Sequence, residues 1–276
     1  MTPNEACRLA MKVLEKGPSH NMNDLNVLYE LSTGHMRYDL THDVSEEEFG
    51  KLMELAERRA SGEPLQYISG IWPFLDFEIM VDRRALIPRP ETEILAETAA
   101  ELLKDLSHPE VLDLCSGTGV LAFSAKRSCP GANVTAVELS QDASALLWEN
   151  AAKLSLDIDI VVADALAYHE SIPDSGFDLI ICNPPYITPE DYSSNFDELK
   201  EEPKMAFLGG DDGLDFYRTI IPCYKSKLRS GGHMAFEIGN DQAEAVTALF
   251  RESGYHDITV RKDYSSLDRI VYAAVN

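Results

Sequence analysis

The sequence is poor in basic residues. Its 276 residues hold 24 Lys and Arg against 47 Asp and Glu, which gives a formal net charge of −23 at pH 7. Because proteins grip nucleic-acid backbones largely through Lys and Arg on the phosphates, this balance argues against direct nucleic-acid binding. It suits a partner with a basic face, but an acidic surface that only maintains solubility explains it equally well.

Paired cysteines and long apolar runs are also absent. The five cysteines are widely spaced, and no two of them form a Cys-x-x-Cys pair. This argues against a disulfide framework and against a zinc site, and we expect no bound metal. The amino-terminal residues lack the apolar centre of a signal peptide, and no stretch approaches the length needed to span a membrane. We therefore expect a protein of the reducing cytoplasm with no membrane partner.

Residues 1–72 have the apolar spacing of helices. A second helix is expected to begin at Asn23 as its cap, and Ser45 with Glu48 three residues later predicts a capping box for a third. We interpret this region as a small helical bundle without chemistry of its own.

Residues 73–90 predict a junction between two domains. The segment 74–82 alternates apolar and polar residues, which favours a strand that forms half of a hairpin. Two prolines, Pro88 and Pro90, then lead into a helix expected from Glu91 to about Leu106.

Residues 91–276 are expected to form the second domain. Within it, predicted strands alternate with helices from residue 110 onward. The strands are expected at 111–115, 133–139, 158–163, 177–182, 233–239 and 269–275. Such alternation is typical of an α/β domain with a mostly parallel sheet covered by helices on both faces.

The first predicted strand ends in a glycine turn, which consists of Cys115, Ser116, Gly117, Thr118 and Gly119. Glycines let the backbone turn sharply and approach a ligand at the carboxyl edge of a sheet, but any tight strand-to-helix turn also favours them. The sequence has no G-x-G-x-x-G motif and no phosphate-clamping lysine, which argues against a dinucleotide.

Acidic residues end the next two strands. Glu138 stands where a carboxylate can accept hydrogen bonds from both ribose hydroxyls of a nucleoside, although a capping or solvated glutamate is the alternative. Asp164 could bind an adenine amine and the backbone amide of Ala165 a ring nitrogen, with a solvated loop aspartate as the alternative. A nucleoside without a phosphate remains, and S-adenosylmethionine fits.

The strand 177–182 runs into Asn183-Pro184-Pro185-Tyr186, and the prolines end it. The side-chain carbonyl of Asn183 and the backbone carbonyl of Pro184 offer two acceptors for the protons of a planar –NH2 group. Tyr186 offers a flat face against which such a group can pack. Acceptors on these protons favour the pyramidal, attacking form of a nitrogen whose lone pair is otherwise delocalised. We therefore predict a planar amine as the substrate.

With these motifs the sequence resembles the HemK/PrmC-type protein-glutamine methyltransferases that modify peptide-chain release factors. The resemblance covers nearly the whole chain, through the segments 62–74, 86–93, 111–119, 177–187, 201–218, 237–239 and 262–271. It implies a Rossmann-like class I S-adenosylmethionine-dependent methyltransferase domain with a mostly parallel seven-stranded sheet, beside the small N-terminal helical bundle.

The resemblance also implies a reaction, which is methyl transfer from S-adenosylmethionine to the side-chain amide of the glutamine in a Gly-Gly-Gln motif of class I release factors. It assigns the glycine turn, Glu138 and the position after Asp164 to the cofactor. It assigns the tetrad from Asn183 to Tyr186 to the glutamine, and it places Asn183 against the cofactor as well. It places Arg89, Pro90, Glu91 and Thr92 near the mouth of the site, and it makes the helical bundle a clamp on the release factor.

Three positions depart from the family pattern or invite a different interpretation. Cys115 and Ser116 begin the glycine turn, where a positive φ at Cys115 would be strained. Ala165 replaces the aromatic residue often found after the third-strand acid. Cys182 precedes Asn183, but no histidine pairs with it in the sequence, and we interpret it as strand packing.

Three alternatives remain open on the sequence. An adenine methyltransferase of DNA or RNA shares the Asn-Pro-Pro-Tyr tetrad but needs a basic groove, and a glutamine methyltransferase of a ribosomal protein shares most motifs. A non-catalytic adaptor would bind cofactor or release factor without turnover. We expect a monomer that binds its release factor one to one.

Overall fold

The computed structural model describes residues 1–18, 21–39 and 41–276. The chain divides into two compact units. The first comprises Met1–Trp72, Val81–Arg83 and Asp197–Glu201, and the second comprises Pro73–Met80, Arg84–Phe196 and Glu202–Asn276.

The first unit is helical, and its described residues form α1 (Pro3–Leu14), α2 (Met22–Thr33), α3 (Glu46–Ala60) and α4 (Leu65–Ser69). The capping box at Ser45 is confirmed, because Ser45 and Glu48 exchange side-chain and backbone hydrogen bonds at the start of α3. The prediction that Asn23 caps α2 was wrong. Asn21 has the extended backbone that a cap needs, and its side chain accepts from the Asp24 amide at 2.8 Å.

A two-stranded sheet joins β1 (Ile71–Phe74) to β2 (Phe77–Met80). The predicted pairing with a neighbouring strand is present, but the strand expected over 74–82 covers only Phe77–Met80. Leu75 has a φ of +50° and a 41 % exposed side chain, so the chain turns at the residue that continued the apolar alternation. Alternation of period two reports which face a residue occupies and carries no information about where a hairpin turns.

A seven-stranded sheet forms the core of the second unit, in the order β5-β4-β3-β6-β7-β9-β8. Its strands are β3 (Glu110–Leu114), β4 (Asn133–Glu138), β5 (Asp159–Val162), β6 (Phe177–Cys182), β7 (Leu228–Glu237), β8 (His256–Lys262) and β9 (Asp268–Ala274). The strands from β5 to β7 pair in parallel, while β9 is antiparallel to both β7 and β8. The predicted mostly parallel sheet is confirmed.

Two strands differ from the prediction. β7 begins at Leu228 rather than at residue 233. Leu228 already pairs with β6, and a register shift that spans Gly231 and Gly232 separates this pair from the regular pairing that starts at His233. β8 was not predicted: it lies at the sheet edge, and its residues are half-buried or exposed without a clear apolar face.

The helices of the second unit are α5 (Pro90–Leu103), α6 (Val120–Ser128), α7 (Gln141–Leu154), α8 (Pro189–Ser194), α10 (Asp215–Cys223) and α11 (Ala243–Glu252). A short helix, α9 (Phe196–Leu199), begins at the last residue of one segment of the second unit and continues into a segment of the first. Successive residues of the central strands, such as Ile180, Ile181 and Cys182, are fully buried, which requires cover on both faces of the sheet. Within the part of the chain that the structure describes, no helix is long and apolar enough to cross a membrane.

The order of the strands determines where a ligand can bind. β3 lies between β4 and β6, so the chain moves to one side of β3 through β4 and β5 and to the other side through β6 and β7. This reversal opens a crevice at the carboxyl ends of β3 and β6. The glycine turn follows β3 and Asn183 follows β6, so both lie at this crevice.

Candidate active site

The glycine turn after β3 places three residues in the left-handed region of the backbone: Cys115 (φ +58°), Gly117 (+54°) and Gly119 (+91°). Cys115 thus has the positive φ that would be strained for a side chain, at a cost of about 1–2 kcal/mol. A Cβ on Gly119 would lie 2.5 Å from the ring of Phe123, whereas one on Gly117 would meet no atom within 4 Å. Gly119 therefore serves close packing, and Gly117 leaves open space.

Glu138 is the last residue of β4, and its carboxylate contacts the glycine turn. Its Oε2 accepts from the amide of Gly117 at 2.9 Å, and its Oε1 accepts from the amide of Ser140 at 2.8 Å. Because each carboxylate oxygen has two lone pairs, one on each oxygen remains for a further donor.

Asp164 and Ala165 follow β5. The Asp164 carboxylate accepts from the amide of Leu166 at 2.9 Å, and the Ala165 carbonyl accepts from the hydroxyl of Tyr224 at 2.6 Å. The second bond anchors this loop to the buried core.

Residues predicted to bind the cofactor and residues of the Asn-Pro-Pro-Tyr tetrad line one cavity of about 340 Å³. Its lining includes Cys115, Gly117, Glu138, Asp164, Ala165, Asn183 and Pro185. Apolar side chains complete the wall, among them Leu139, Leu166, Met205 and Phe216. A second cavity, of about 490 Å³, is lined by residues 75–77, α5 and α6 and contains none of the predicted site residues.

A buried carboxylate lies behind the Asn-Pro-Pro-Tyr tetrad. Asn183 Nδ2 donates to the Thr92 hydroxyl at 3.2 Å, and that hydroxyl donates to Glu237 Oε2 at 2.7 Å. The hydroxyl of Tyr186 donates to the other oxygen, Oε1, at 3.3 Å. Glu237 therefore connects both ends of the tetrad.

Glu237 ends β7 and is 1 % exposed. Burial raises its pKa to about 7, against the opposing effects of its hydrogen bonds from Thr92 and Tyr186 and of the nearby Arg269 charge. Burial, and then the neighbouring Glu237 charge, also raises the pKa of the Tyr186 phenol, which therefore stays a hydrogen-bond donor.

A second buried carboxylate, Glu202, holds the segment that leads into α5. It accepts from the amide of Ile87 at 2.9 Å and from the guanidinium of Arg89 at 2.6 Å. Pro90 is the first residue of α5, and Glu91 follows in its first turn. Of the residues that the resemblance placed near the mouth, Thr92 is buried, with 3 % exposure, and Arg89 is partly exposed.

Glu237, Glu202 and Gln242 were not assigned a role from the sequence. Gln242 Nε2 donates to the Tyr186 carbonyl at 3.1 Å and to the Gly213 carbonyl at 3.2 Å, which ties the tetrad to the loop that follows residue 208. The available signal was weak: Glu237 is a lone acid in an otherwise apolar strand end, where an unpartnered carboxylate would be costly.

Cys182 is fully buried, and burial and the adjacent Cys115 raise the pKa of its thiol well above its usual value. Its predicted role in strand packing is confirmed. All five cysteines lie in the described part of the chain and are free thiols. No group of three His, Cys, Asp or Glu side chains suited to a metal occurs within residues 1–18, 21–39 and 41–276.

The fold and the site together define a Rossmann-like class I S-adenosylmethionine-dependent methyltransferase. Residues 91–199 match the family model of the methyltransferase small domain, and residues 25–70 match that of the PrmC N-terminal domain. The chain belongs to the release factor glutamine methyltransferases. The resemblance noted from the sequence motifs is confirmed.

Two relatives illustrate the match. The release factor glutamine methyltransferase of Bordetella pertussis is 38 % identical over 218 residues, which cover 79 % of this chain and 80 % of the relative. That of Caulobacter vibrioides is 33 % identical over 258 residues, covering 92 % and 89 %. Among solved structures, the 16S rRNA N2 G1207 methyltransferase of T. thermophilus, in complex with AdoMet and guanosine, is similar in fold alone. It has a TM-score of 0.54 at 19 % identity over 75 % of this chain and 50 % of that one.

Proposed function

We propose that this chain transfers a methyl group from S-adenosylmethionine to the side-chain amide nitrogen of the glutamine in the Gly-Gly-Gln motif of class I release factors. The observation that carries the proposal is the shared cavity, which Asn183 lines together with Glu138 and Asp164. One cavity thus offers an acceptor for a planar amide beside carboxylates suited to a nucleoside. The relatives' names supply the identity of the amide, a glutamine of a release factor.

The residues of the cavity fit the cofactor. Glu138 keeps a lone pair on each oxygen for ribose hydroxyls, Asp164 supplies a second carboxylate, and Gly117 leaves room for a ligand against the backbone. Leu139 is 53 % exposed and lines the cavity, so it supplies an apolar surface for the adenine where Ala165 offers little. When bound, S-adenosylmethionine supplies an electrophilic methyl group.

The tetrad holds and activates the amide. Asn183 Oδ1 and the Pro184 carbonyl accept its two protons, and the Tyr186 ring packs on its plane. Positive charge develops on the nitrogen as it attacks, and the two fixed acceptors stabilise that charge more strongly than they stabilise the neutral amide. An N-protonated amide is strongly acidic, so its extra proton passes to water once the methyl group is transferred, and no base of this chain has to remove a proton before the attack.

Recognition of the release factor involves more of the chain in this proposal. The helical region 1–72, part of which matches the PrmC N-terminal domain, contacts the release factor outside the Gly-Gly-Gln loop. The net charge of −23 favours association with a basic loop and disfavours direct binding to nucleic acid. A monomer is sufficient for this one-to-one encounter.

The first test is a methyl-transfer assay with labelled S-adenosylmethionine. Three acceptors are compared: a class I release factor, the same factor with its motif glutamine changed to alanine, and a DNA duplex. We expect label on the first acceptor only, located by peptide mass to that glutamine. Label on DNA would mean that the tetrad binds an adenine amine, label only on ribosomal proteins would identify a different glutamine, and cofactor binding without any label would identify an adaptor.

Glu138→Ala is expected to weaken the binding of S-adenosylmethionine about tenfold, ~1.4 kcal/mol, because the ribose loses a charged acceptor. Calorimetric titration of the cofactor measures this dissociation constant directly. Glu110→Ala is the matched control, since Glu110 is the first residue of β3 and lies at the amino-terminal end of that strand, opposite to the end that carries the glycine turn. An unchanged dissociation constant for Glu138→Ala would leave Glu138 as a capping residue of the glycine turn.

A further inference from the structure

We infer that Thr92 and Glu237 are positioning residues that decide which end of the Asn183 side-chain amide faces the substrate. The inference rests on the proposed function, because the group that these residues orient is the acceptor for the glutamine amide. Neither residue contacts the reacting atoms in this proposal; both act through Asn183.

Glu237 determines the direction of the hydrogen bonds. An ionised carboxylate can only accept, so the Thr92 hydroxyl, 2.7 Å from Oε2, donates its single proton there. The Thr92 oxygen then has only lone pairs for its other neighbour, and Asn183 turns Nδ2 to it at 3.2 Å. The carbonyl end of the Asn183 amide is consequently left for the substrate.

The opposite orientation of Asn183 would disable the site. An amide that turned its –NH2 group to the substrate would place a donor against the proton that Asn183 is proposed to accept, and that hydrogen bond could not form. The oxygen and nitrogen of an asparagine side chain have nearly the same shape, so packing alone distinguishes them poorly. A hydrogen-bonding partner of fixed polarity is needed, and the Thr92–Glu237 pair is such a partner.

Burial makes this arrangement stable against competition from water. Thr92 is 3 % exposed and Glu237 is 1 % exposed. They belong to different elements, the first turn of α5 and the end of β7, and Asn183 follows β6. Three elements that are distant in sequence therefore share one chain of hydrogen bonds, and leaving any member unpaired in the interior is costly.

The arrangement depends on the ionised form of Glu237. Burial raises the pKa of Glu237 to about 7, and the nearby charge of Glu91 adds to the increase. Three groups lower this pKa: the hydrogen bond from Thr92, the charge of Arg269 and the hydrogen bond from Tyr186. A protonated Glu237 can donate to Thr92, whose own proton then turns to Asn183 and attracts the carbonyl oxygen. The protonated form accumulates as the pH falls below about 7, so kcat is expected to fall with it.

Thr92→Val tests the inference, because valine keeps the shape of threonine and removes the hydroxyl. We expect kcat on the release factor to fall at least about tenfold with little change in cofactor affinity, and Thr92→Ser to restore most of it. Thr98→Val is the matched control. Thr98 lies on the same helix, is 1 % exposed, and donates to the Ile94 carbonyl at 2.7 Å.

A Thr92→Val enzyme with kcat within about twofold of the wild type would overturn the inference, as would an equal loss in Thr98→Val. If Thr92→Val does not fold, Glu237→Gln decides, because glutamine does not titrate. The decline of kcat below pH 7 should disappear in Glu237→Gln, and its persistence would contradict the role of Glu237.

A measurement that is independent of turnover separates this inference from the proposed function. In ¹⁵N-labelled protein, the NMR chemical shifts of the Asn183 side-chain amide should change in Thr92→Val and stay at their wild-type values in Thr98→Val. In the wild type these chemical shifts should change with pH near pH 7, where Glu237 titrates. A wild type that methylates no release factor but shows this behaviour would refute the function and keep the orientation of Asn183. If the Asn183 chemical shifts change neither in Thr92→Val nor with pH, the inferred orientation of the Asn183 amide is refuted, whatever the substrate is.

Discussion

Asn183→Ala is expected to lower kcat/KM for methylation of the release factor by about 2–3 kcal/mol, roughly 30- to 160-fold. The variant loses the Oδ1 acceptor that stabilises positive charge on the attacking nitrogen. It also leaves the Thr92 hydroxyl without the Asn183 Nδ2 donor, 3.2 Å away. Steady-state methyl transfer with the release factor varied at saturating cofactor measures the loss.

Cofactor affinity separates a local effect from a general one. Because the proposed function assigns the tetrad chiefly to the substrate, the dissociation constant of S-adenosylmethionine should change much less than kcat/KM. Asn133→Ala is the control substitution, since Asn133 is exposed at the start of β4, at the sheet edge opposite the site. Near-full activity of Asn183→Ala would remove Asn183 from the catalytic group.

Gly213→Ala is expected to lower the free energy of unfolding by about 2–5 kcal/mol and to abolish most methyl transfer. Gly213 has a φ of +75°, which strains any side chain. Its Cβ would also lie 2.3 Å from the Tyr186 carbonyl oxygen and 2.7 Å from Gln242 Nε2. Since the first contact is with backbone, the tetrad itself must move to admit a methyl group.

Gly231→Ala isolates the clash from the backbone strain. Gly231 has a φ of +77°, but a Cβ there meets no atom within 4 Å. We expect this control to lose only about 1–2 kcal/mol and to keep its activity. Denaturant unfolding and the methyl-transfer rate of both variants provide the comparison, and equal losses would show that the contact with Tyr186 is unimportant.

The accuracy of the sequence predictions followed the range of the interaction involved. The capping box at Ser45 and the parallel core strands were predicted correctly, because a capping residue three positions away and a run of apolar residues are local signals. Asn21 displaced Asn23 as the cap of α2 because two asparagines offer the same chemistry and only the backbone conformation selects one. The edge strand β8 was missed because it has no strongly buried face.

Several candidate site residues lie together at one sheet edge for a topological reason. Glu138 is the last residue of a parallel strand, while the glycine turn, Asp164 and Asn183 each follow one, and the carboxyl ends of parallel strands meet at a common edge. Their roles toward cofactor and substrate remain proposals. Their proximity, however, followed from strand ends that the sequence shows one by one.

The sequence by itself thus determined the class of fold and the family, and it supplied the residues that line the cavity, because motifs of adjacent residues carry that information. Only the tertiary structure decided how those groups are supported. Thr92 meets Glu237 across 145 positions of the chain, and Arg89 meets Glu202 across 113. A buried carboxylate needs partners because burial disfavours its charge, and chain folding alone selects which distant donors supply them.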